Sequence, residues 1–150
     1  MIRPATPDDR APVEAIVRAA YAVYIPRIGK PPAPMLDDYA ALIAAGAVSV
    51  IDEYDGIAAL VVLLTKPDHL LLDNVAVRPD RQGRGYGRAL SDFAAAEARR
   101  LGLDELRLYT HRTMVENIAL YTRLGFVETG RGTEAGYDRV FMTKYLRRAE

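Results

Sequence analysis

The longest unbroken run of apolar residues lies between Ile57 and Leu64 and contains no polar position. A strand of this composition is covered on both faces, so we predict a buried strand over 57–65. A strand is also predicted over 48–54, with Asp55-Gly56 as the hairpin turn between the two. Similar β-branched runs predict five more strands, at residues 2–3, 70–77, 105–110, 126–129 and 137–146, the last two joined by a turn containing Gly130, Gly132 and Gly136.

Apolar residues recur at helical spacing in four other segments, which predict helices over residues 7–23, 36–45, 86–101 and 115–124. The first segment opens on Thr6-Pro7-Asp8-Asp9, in which Thr6 can cap the helix and Asp9 can close a capping box. The other three end at a glycine, the residue typical of a helix C-terminus: Gly46, Gly102 and Gly125. Residues 25–35 carry four prolines and a glycine, so we expect no regular structure there and either a mobile loop or a binding lid.

The predicted order of elements is β-α-α-β-β-β-α-β-α-β-β. This order fits an α/β (α+β) fold with a mixed, mostly antiparallel sheet of six to seven strands and four helices on both faces. One β-α-β crossover falls between residues 70 and 110. A length of 150 residues predicts a single domain, 1–150.

Charge and composition exclude several classes of function. Twenty basic and twenty acidic residues cancel, so no overall field favours nucleic acid or an anionic membrane. The longest apolar run is far shorter than the roughly 20 residues of a spanning helix, and the first ten residues lack the apolar core of a signal peptide. Without cysteine there is no disulfide, thiolate nucleophile or cysteine metal site, and we expect a soluble cytoplasmic protein without a metal.

Candidate chemistry is concentrated between the strand predicted over 70–77 and the helix that follows it. Pro79 ends the strand, and three glycines alternate across the loop and the start of the helix. The first amides of a helix have no internal partners, and glycines let an anion approach them. Arg81 adds a positive charge, and we predict that a phosphate or pyrophosphate binds here, to Gln82, Gly83, Arg84, Gly85, Tyr86, Gly87 and Arg88.

The spacing of these glycines distinguishes between kinds of phosphate site. A dinucleotide fingerprint requires a third glycine where Arg88 stands, and the chain contains no Gly-Lys-Ser or Gly-Lys-Thr of a nucleotide P-loop. The pattern present, Q-x-x-G-x-G over 82–87, resembles the coenzyme A pyrophosphate signature of the GNAT superfamily of acyl-CoA-dependent N-acyltransferases. Residues 117–126, NIALYTRLGF, are similar to the N-x-x-A-x-x-LY-x-x-LGF segment of the same family.

The resemblance covers essentially the whole chain and implies direct transfer of an acetyl group from acetyl-CoA to a primary amine. In the family the fourth and fifth strands splay apart to admit the cofactor, so the backbone of Val75, Ala76 and Val77 is expected to contact its pantetheine arm. Tyr121 corresponds to the family's tyrosine that protonates the coenzyme sulfur. A phenol with a pKa near 10 is protonated at neutral pH and can donate.

The general base stays open between Asp73, His69, His111 and a water molecule. Asp73 lies on the central strand where relatives often carry an acid. The family's usual asparagine, seven residues before the tyrosine, is replaced here by Met114. Asn117, one helical turn before Tyr121, is a candidate for the lost hydrogen bond to the cofactor or a water, or an ordinary helix residue.

The acceptor is not identified by the sequence beyond a small amine or a protein or peptide amine. Aromatic and cationic residues cluster around the proline-rich segment where the resemblance places the acceptor: Tyr21, Tyr24, Arg27, Lys30 and Tyr39. Two other classes compete with the enzyme, a non-catalytic acyl-CoA-binding module and a protein-interaction domain with a fortuitous glycine loop. Many relatives pair their last strands across a two-fold axis, so a homodimer is a further expectation.

Overall fold

A computed structural model describes residues 1–146 of the chain; the last four residues of the predicted 1–150 domain lie outside the described residues. Its strands are β1 Ile2–Pro4, β2 Val48–Glu53, β3 Gly56–Thr65, β4 Leu70–Val77, β5 Glu105–His111, β6 Val127–Glu134 and β7 Tyr137–Tyr145. Its α-helices are α1 Arg10–Tyr21, α2 Ile25–Ile28, α3 Tyr39–Ala44, α4 Tyr86–Arg100 and α5 Val115–Arg123. Short 3₁₀ helices lie at Pro7–Asp9, Ala22–Tyr24, Ala33–Leu36 and Pro79–Arg81.

The seven strands form one sheet in the order β1-β2-β3-β4-β5-β7-β6. Strands β4 and β5 run parallel, whereas β1 with β2, β2 with β3, β5 with β7 and β6 with β7 run antiparallel. Helix α4 connects the two parallel strands, as the predicted β-α-β crossover requires. The predicted fold class, a mixed and mostly antiparallel sheet with four main helices, is confirmed.

The chain divides into two compact units, each made of two segments of the sequence. The first unit contains Met1–Leu63 and Asn74–Leu90, and its fully buried side chains include Val13 of α1 and Val50 of β2. The second unit contains Leu64–Asp73 and Ser91–Glu150, and its largest fully buried side chain is Phe126. Each unit therefore has apolar side chains of its own that are removed from water.

Burial along β3 and β4 follows the sequence pattern. Residues 57–62 of β3 are all buried, which confirms a strand covered on both faces. In β4, buried residues alternate with half-buried ones, so this strand turns one side of its pleat inward. The inward positions of β4 are Leu70, Leu72, Asn74 and Ala76.

Three local predictions are wrong. The prolines do not keep residues 25–35 irregular: Pro26 stands in the first turn of α2, where its missing N–H is not needed, and a 3₁₀ helix begins at Ala33. The hairpin loop consists of Tyr54 and Asp55, since Gly56 already pairs with Glu53. The glycines at 130 and 132 lie inside β6, which is twice as long as predicted because β7 supplies it with pairing partners along its length.

The N-terminal capping box is present and is part of a larger ionic cluster. The amide of Thr6 donates to Asp9 Oδ2 at 2.7 Å, and the amide of Asp9 donates to the Thr6 carbonyl at 2.8 Å. Arg3 of β1 binds the same carboxylate through Nη1 at 2.7 Å and binds Asp52 of β2 through Nε at 2.9 Å. Hydrogen bonds from Arg3 lower the pKa of Asp9 to about 2, although burial opposes the shift.

We expect Asp9→Asn to lower the free energy of unfolding by about 2 kcal/mol at pH 7. Because the pKa of Asp9 is lower in the folded chain, its stabilisation is complete above the unfolded value of 3.8 and is lost as the pH falls through about 2. Urea unfolding of both proteins from pH 7 to pH 2 measures the difference, which should shrink below about pH 4. Asp8→Asn, an exposed neighbour in the same turn, is the matched control, and an equal loss in both variants would contradict the assignment.

Candidate functional site

The glycine loop between β4 and α4 has a backbone conformation that favours glycine. After the 3₁₀ turn Pro79–Arg81, Gly83 has a φ of 80° and Gly85 a φ of 86°. Both values lie in the left-handed region, which side chains with a Cβ rarely adopt. The two glycines turn the chain twice before helix α4 begins at Tyr86.

Six consecutive backbone amides of this loop, from Gly83 to Arg88, have no hydrogen-bond acceptor among residues 1–146. The amides on either side are bonded: Gln82 N to the Pro79 carbonyl at 3.5 Å, and Ala89 N to the Gly85 carbonyl at 3.0 Å. Residues 83–88 are exposed or half-buried, so these donors are accessible to solvent. The loop and the helix start thus present a row of N–H groups at the positive end of the helix dipole.

Ion pairs attach this loop to the β2–β3 hairpin. Arg78 Nη2 lies 3.1 Å from Asp55 Oδ2, and Arg81 Nη2 binds the same oxygen. Hydrogen bonding from Arg78, with the positive charges of both arginines, lowers the pKa of the Asp55 carboxyl. The Tyr86 hydroxyl donates to Glu53 Oε1 at 2.8 Å. Loop entry and helix start are therefore both held on the hairpin.

The predicted role of Arg81 changes as a result. Its charge is already balanced by Asp55, whereas Arg84 and Arg88 have no ion-pair partner within the part of the chain that the structure describes. The sequence did not indicate Asp55 as part of the site, because it stands 26 residues from Arg81 and looked like a turn residue only. An acidic residue in a hairpin turn carries no signal of a distant partner.

Strand β4 supplies the three residues predicted to contact the pantetheine arm. Ala76 is buried, and Val75 and Val77 are half-buried. The Val75 carbonyl lies 3.0 Å from the Tyr21 hydroxyl, and the Val77 carbonyl lies 3.4 Å from Gln82 Nε2. Strand β4 pairs with β5 at Leu70–Leu106 and Leu71–Arg107.

The aromatic and cationic residues grouped by the sequence have different environments. Tyr21 and Tyr39 are buried, at 7% and 2% exposed, and both hydroxyls lie against the Asn74 side chain. The Tyr24 ring lies 6.3 Å from that of Tyr21, and the Arg27 guanidinium lies 5.2 Å from the Tyr24 ring centre. The two buried tyrosines therefore fix the segment in place rather than forming an exposed wall. Lys30, the last member of the group, is half-buried.

Asp73, the last residue of β4 in the second unit, has a partly buried carboxyl group. Burial raises its pKa, and three groups oppose the shift: the Tyr109 hydroxyl, Arg139 and Lys66. Tyr109 donates to Asp73 Oδ1 at 3.1 Å, and the Arg139 guanidinium lies 4.1 Å from the centre of the Tyr109 ring. A carboxylate whose pKa is raised and whose geometry is fixed by a neighbour is suited to accept a proton.

The two histidines, weighed as alternative bases, lie in different surroundings. Nδ1 of His69 is 2.7 Å from Asp68 Oδ1. Nδ1 of His111 accepts from the Thr113 amide at 3.2 Å and lies 2.9 Å from the Thr113 hydroxyl. This amide places the proton of a neutral His111 on Nε2.

Helix α5 contains the predicted acid. Tyr121 is 8% exposed, and its ring packs edge-to-face on Phe126 at a centroid distance of 5.5 Å. Met114, where the family usually has asparagine, is buried and accepts a weak hydrogen bond from Thr110 Oγ1 to its sulfur at 3.6 Å. Asn117 is half-buried in the first turn of α5, and its backbone amide donates to the Met114 carbonyl at 3.0 Å.

Two kinds of feature are absent among residues 1–146. No three histidine or acidic side chains among them are grouped so that they could hold a metal ion. None of their helices is both long enough and apolar enough to cross a membrane.

Comparison with known proteins places the chain among acetyltransferases. Residues 14–126 match the Acetyltransferase (GNAT) family. The N-acetyltransferase YvbK of Bacillus subtilis (strain 168) is 30% identical over 98 residues, 57% of this chain and 63% of YvbK. The ribosomal protein bS18-alanine N-acetyltransferase of Escherichia coli (strain K12) is 38% identical over 71 residues, 47% of this chain and 48% of that enzyme.

Solved structures show the same fold. The PaiA N-acetyltransferase of Thermoplasma acidophilum, determined with coenzyme A, superimposes with a TM-score of 0.81 at 16% identity, covering 97% of this chain and 98% of that one. The matched regions span less than two thirds of both curated relatives. The family match, by contrast, covers well over half of this chain and agrees with the resemblance carried by the two sequence motifs. This protein belongs to the GNAT acetyltransferase family.

Proposed function

We propose that this chain transfers an acetyl group from acetyl-CoA directly to a primary amine, as a single acetyltransferase domain. The observation that carries the proposal is the row of six amides from Gly83 to Arg88, beside two arginines without ion-pair partners among residues 1–146. Such a row suits the pyrophosphate of coenzyme A, because each N–H can donate to a phosphate oxygen and the helix dipole favours the negative charge. Family membership supports the same ligand.

The remaining cofactor contacts are proposed for strand β4 and helix α5. The backbone of Val75, Ala76 and Val77 hydrogen-bonds the amides of the pantetheine arm, much as an added strand would. The Asn117 side chain, which makes no hydrogen bond within residues 1–146, contributes a further polar contact to the arm or to a bound water. No metal takes part in the proposed reaction.

The chemistry requires two proton transfers. The amine nitrogen attacks the carbonyl carbon of the acetyl group, an N–C bond forms and the C–S bond of the thioester breaks. Asp73 accepts the proton that the amine loses, and Tyr121 donates a proton to the departing thiolate. The raised pKa of Asp73 makes it a stronger base than an exposed carboxylate once it is ionised.

The acceptor is a small amine or the amine of a protein or peptide. The bS18-alanine relative, by its name, acetylates an alanine of ribosomal protein bS18. A panel with an alanine-terminated peptide, a polyamine and an aromatic amine tests the proposal by the release of free thiol from acetyl-CoA. Coenzyme A binding without thiol release for any amine would favour a non-catalytic binding module.

A cytoplasmic location and a homodimer complete the proposal. The absence of cysteine agrees with a reducing compartment. Strand β6 stands at one edge of the sheet and is exposed along nearly its whole length, with Val127 at 51%. An edge strand of this kind offers unpaired backbone groups to a second copy of the chain.

We expect Gly87→Glu to weaken coenzyme A binding at least a hundredfold, measured by calorimetry, without unfolding the domain. The substitution puts bulk and a negative charge beside the amide row. Gly85→Glu should also abolish binding, but it additionally strains a backbone with a φ of 86°. Ala96→Glu, on an exposed position of the same helix, controls for the added charge, and normal affinity in both glycine variants would exclude the phosphate site.

Tyr121→Phe should lower turnover by a factor of roughly 10² to 10⁴, since it removes the proposed proton donor and keeps the ring. Packing against Phe126 is retained, so the thermal midpoint and the dissociation constant of coenzyme A should stay close to those of the unchanged protein. Thiol release and calorimetry measure the two quantities. Undiminished turnover would remove Tyr121 from the mechanism.

Tyr109→Phe tests Asp73 as the base. The Tyr109 hydroxyl stabilises the ionised carboxylate, so its loss raises the pKa of Asp73 further. The acidic limb of the profile of kcat/KM against pH should then move to higher pH. The control is Tyr145→Phe, which changes an exposed tyrosine on β7. If the acidic limb of the kcat/KM profile does not move in Tyr109→Phe, the base would be His69, His111 or water instead of Asp73.

A further inference from the structure

Asn74 is a buried polar residue on an otherwise apolar side of β4. The other inward positions of this strand are Leu70, Leu72 and Ala76, and Asn74 itself is 2% exposed. A buried amide is costly unless its donors and acceptor are paired, and here the pairing comes from two tyrosines far away in the sequence. Asn74 Nδ2 lies 2.8 Å from the Tyr39 hydroxyl, and Asn74 Oδ1 lies 2.6 Å from the Tyr21 hydroxyl.

The donor and acceptor of each of these hydrogen bonds follow from a single acceptor, the Pro34 carbonyl. The Tyr39 hydroxyl lies 2.6 Å from the Pro34 carbonyl, which can only accept, so Tyr39 donates to it. The Tyr39 oxygen must then accept from Asn74 Nδ2, which fixes the orientation of the amide. Asn74 Oδ1 consequently faces Tyr21, whose hydroxyl donates to it and lies within 3.0 Å of the Val75 carbonyl as well.

The two tyrosines stand at the two ends of one segment, residues 22–38. Tyr21 is the last residue of α1, and Tyr39 is the first residue of α3. The segment between them contains α2 and two 3₁₀ turns, and one of these turns includes Pro34. The Asn74 side-chain amide therefore binds both ends of the segment. Tyr21, at the first end, also contacts the Val75 carbonyl of β4.

We propose that Asn74 is a positioning residue that couples segment 22–38 to the backbone of Val75. The inference rests on the proposed function, in which Val75 contacts the pantetheine arm and segment 22–38 adjoins the acceptor. A ligand that orders the Val75 peptide group also orders the Tyr21 hydroxyl, and Asn74 transmits this order to Tyr39 and Pro34. Coenzyme binding thereby prepares the segment for the acceptor.

The first experiment uses the protein without coenzyme and measures amide hydrogen exchange in Tyr21→Phe, Tyr39→Phe and the double variant. Each substitution removes one hydroxyl and keeps the ring. If the hydrogen bonds form one connected network, each single variant speeds exchange about fivefold at both ends of segment 22–38, and the double variant adds little. Faster exchange only at the end nearest each substitution, with additive effects, would overturn the network.

The second experiment adds coenzyme A and compares the unchanged protein with Tyr39→Phe. In the unchanged protein, coenzyme A should slow exchange both at residues 75–77 and throughout segment 22–38. In Tyr39→Phe it should still slow exchange at 75–77 but no longer in the segment. A purely structural role for Tyr39 would leave the coenzyme-induced protection of the segment intact, and that result would overturn the proposal.

Controls separate failure of this inference from failure of the proposed function. Tyr145→Phe removes an exposed hydroxyl and should behave as the unchanged protein in both experiments. Calorimetry shows whether coenzyme A binds. Absence of binding would refute both the acetyltransferase proposal and the coupling. The first experiment, which uses no coenzyme, would still decide whether the hydrogen bonds of Asn74 form one connected network. Asn74→Ala should reproduce the double variant, and the two tyrosine variants keep the test decisive if that protein does not fold.

Discussion

The site depends on a backbone constraint, the left-handed conformation of Gly83 and Gly85. Two such residues within three positions turn the chain so that the amides from Gly83 to Arg88 have no acceptor among residues 1–146. Most helices cap their first N–H groups with a side chain, but here the groups stay available to an anion. The stability that a cap would add is absent, and a row of accessible N–H groups is present in its place.

This amide row is held in place by acidic side chains of the β2–β3 hairpin, which are not themselves part of the row. Asp55 binds both Arg78 and Arg81, and Glu53 receives the Tyr86 hydroxyl, so the β2–β3 hairpin supports the start and the end of the loop. Exposed ion pairs of this kind contribute little to overall stability. These ion pairs fix the position of the loop on the hairpin. They also balance the charge of Arg81, so Arg84 and Arg88 are the charges beside the amide row.

Patterns with local causes were predictable. The buried strand β3, the crossover from β4 through α4 to β5, and the helix ends at Gly46, Gly102 and Gly125 all follow from apolar periodicity and from the left-handed preference of glycine. The errors occurred where pairing or packing overrode composition. Segment 25–35 forms short helices despite its prolines, and β6 extends through two glycines because β7 pairs with it.

The sequence by itself determined the fold class, the glycine loop and the family, since these depend on residues close together in the chain. Only the tertiary structure decided which side chains meet: Asp55 with the loop arginines, Tyr109 with Asp73, and Asn74 with both Tyr21 and Tyr39. Each of these contacts joins residues more than 20 positions apart, and their side chains have no periodicity that would mark them as partners. A polar residue on a buried strand acquires its role from the hydroxyls that the fold brings to it.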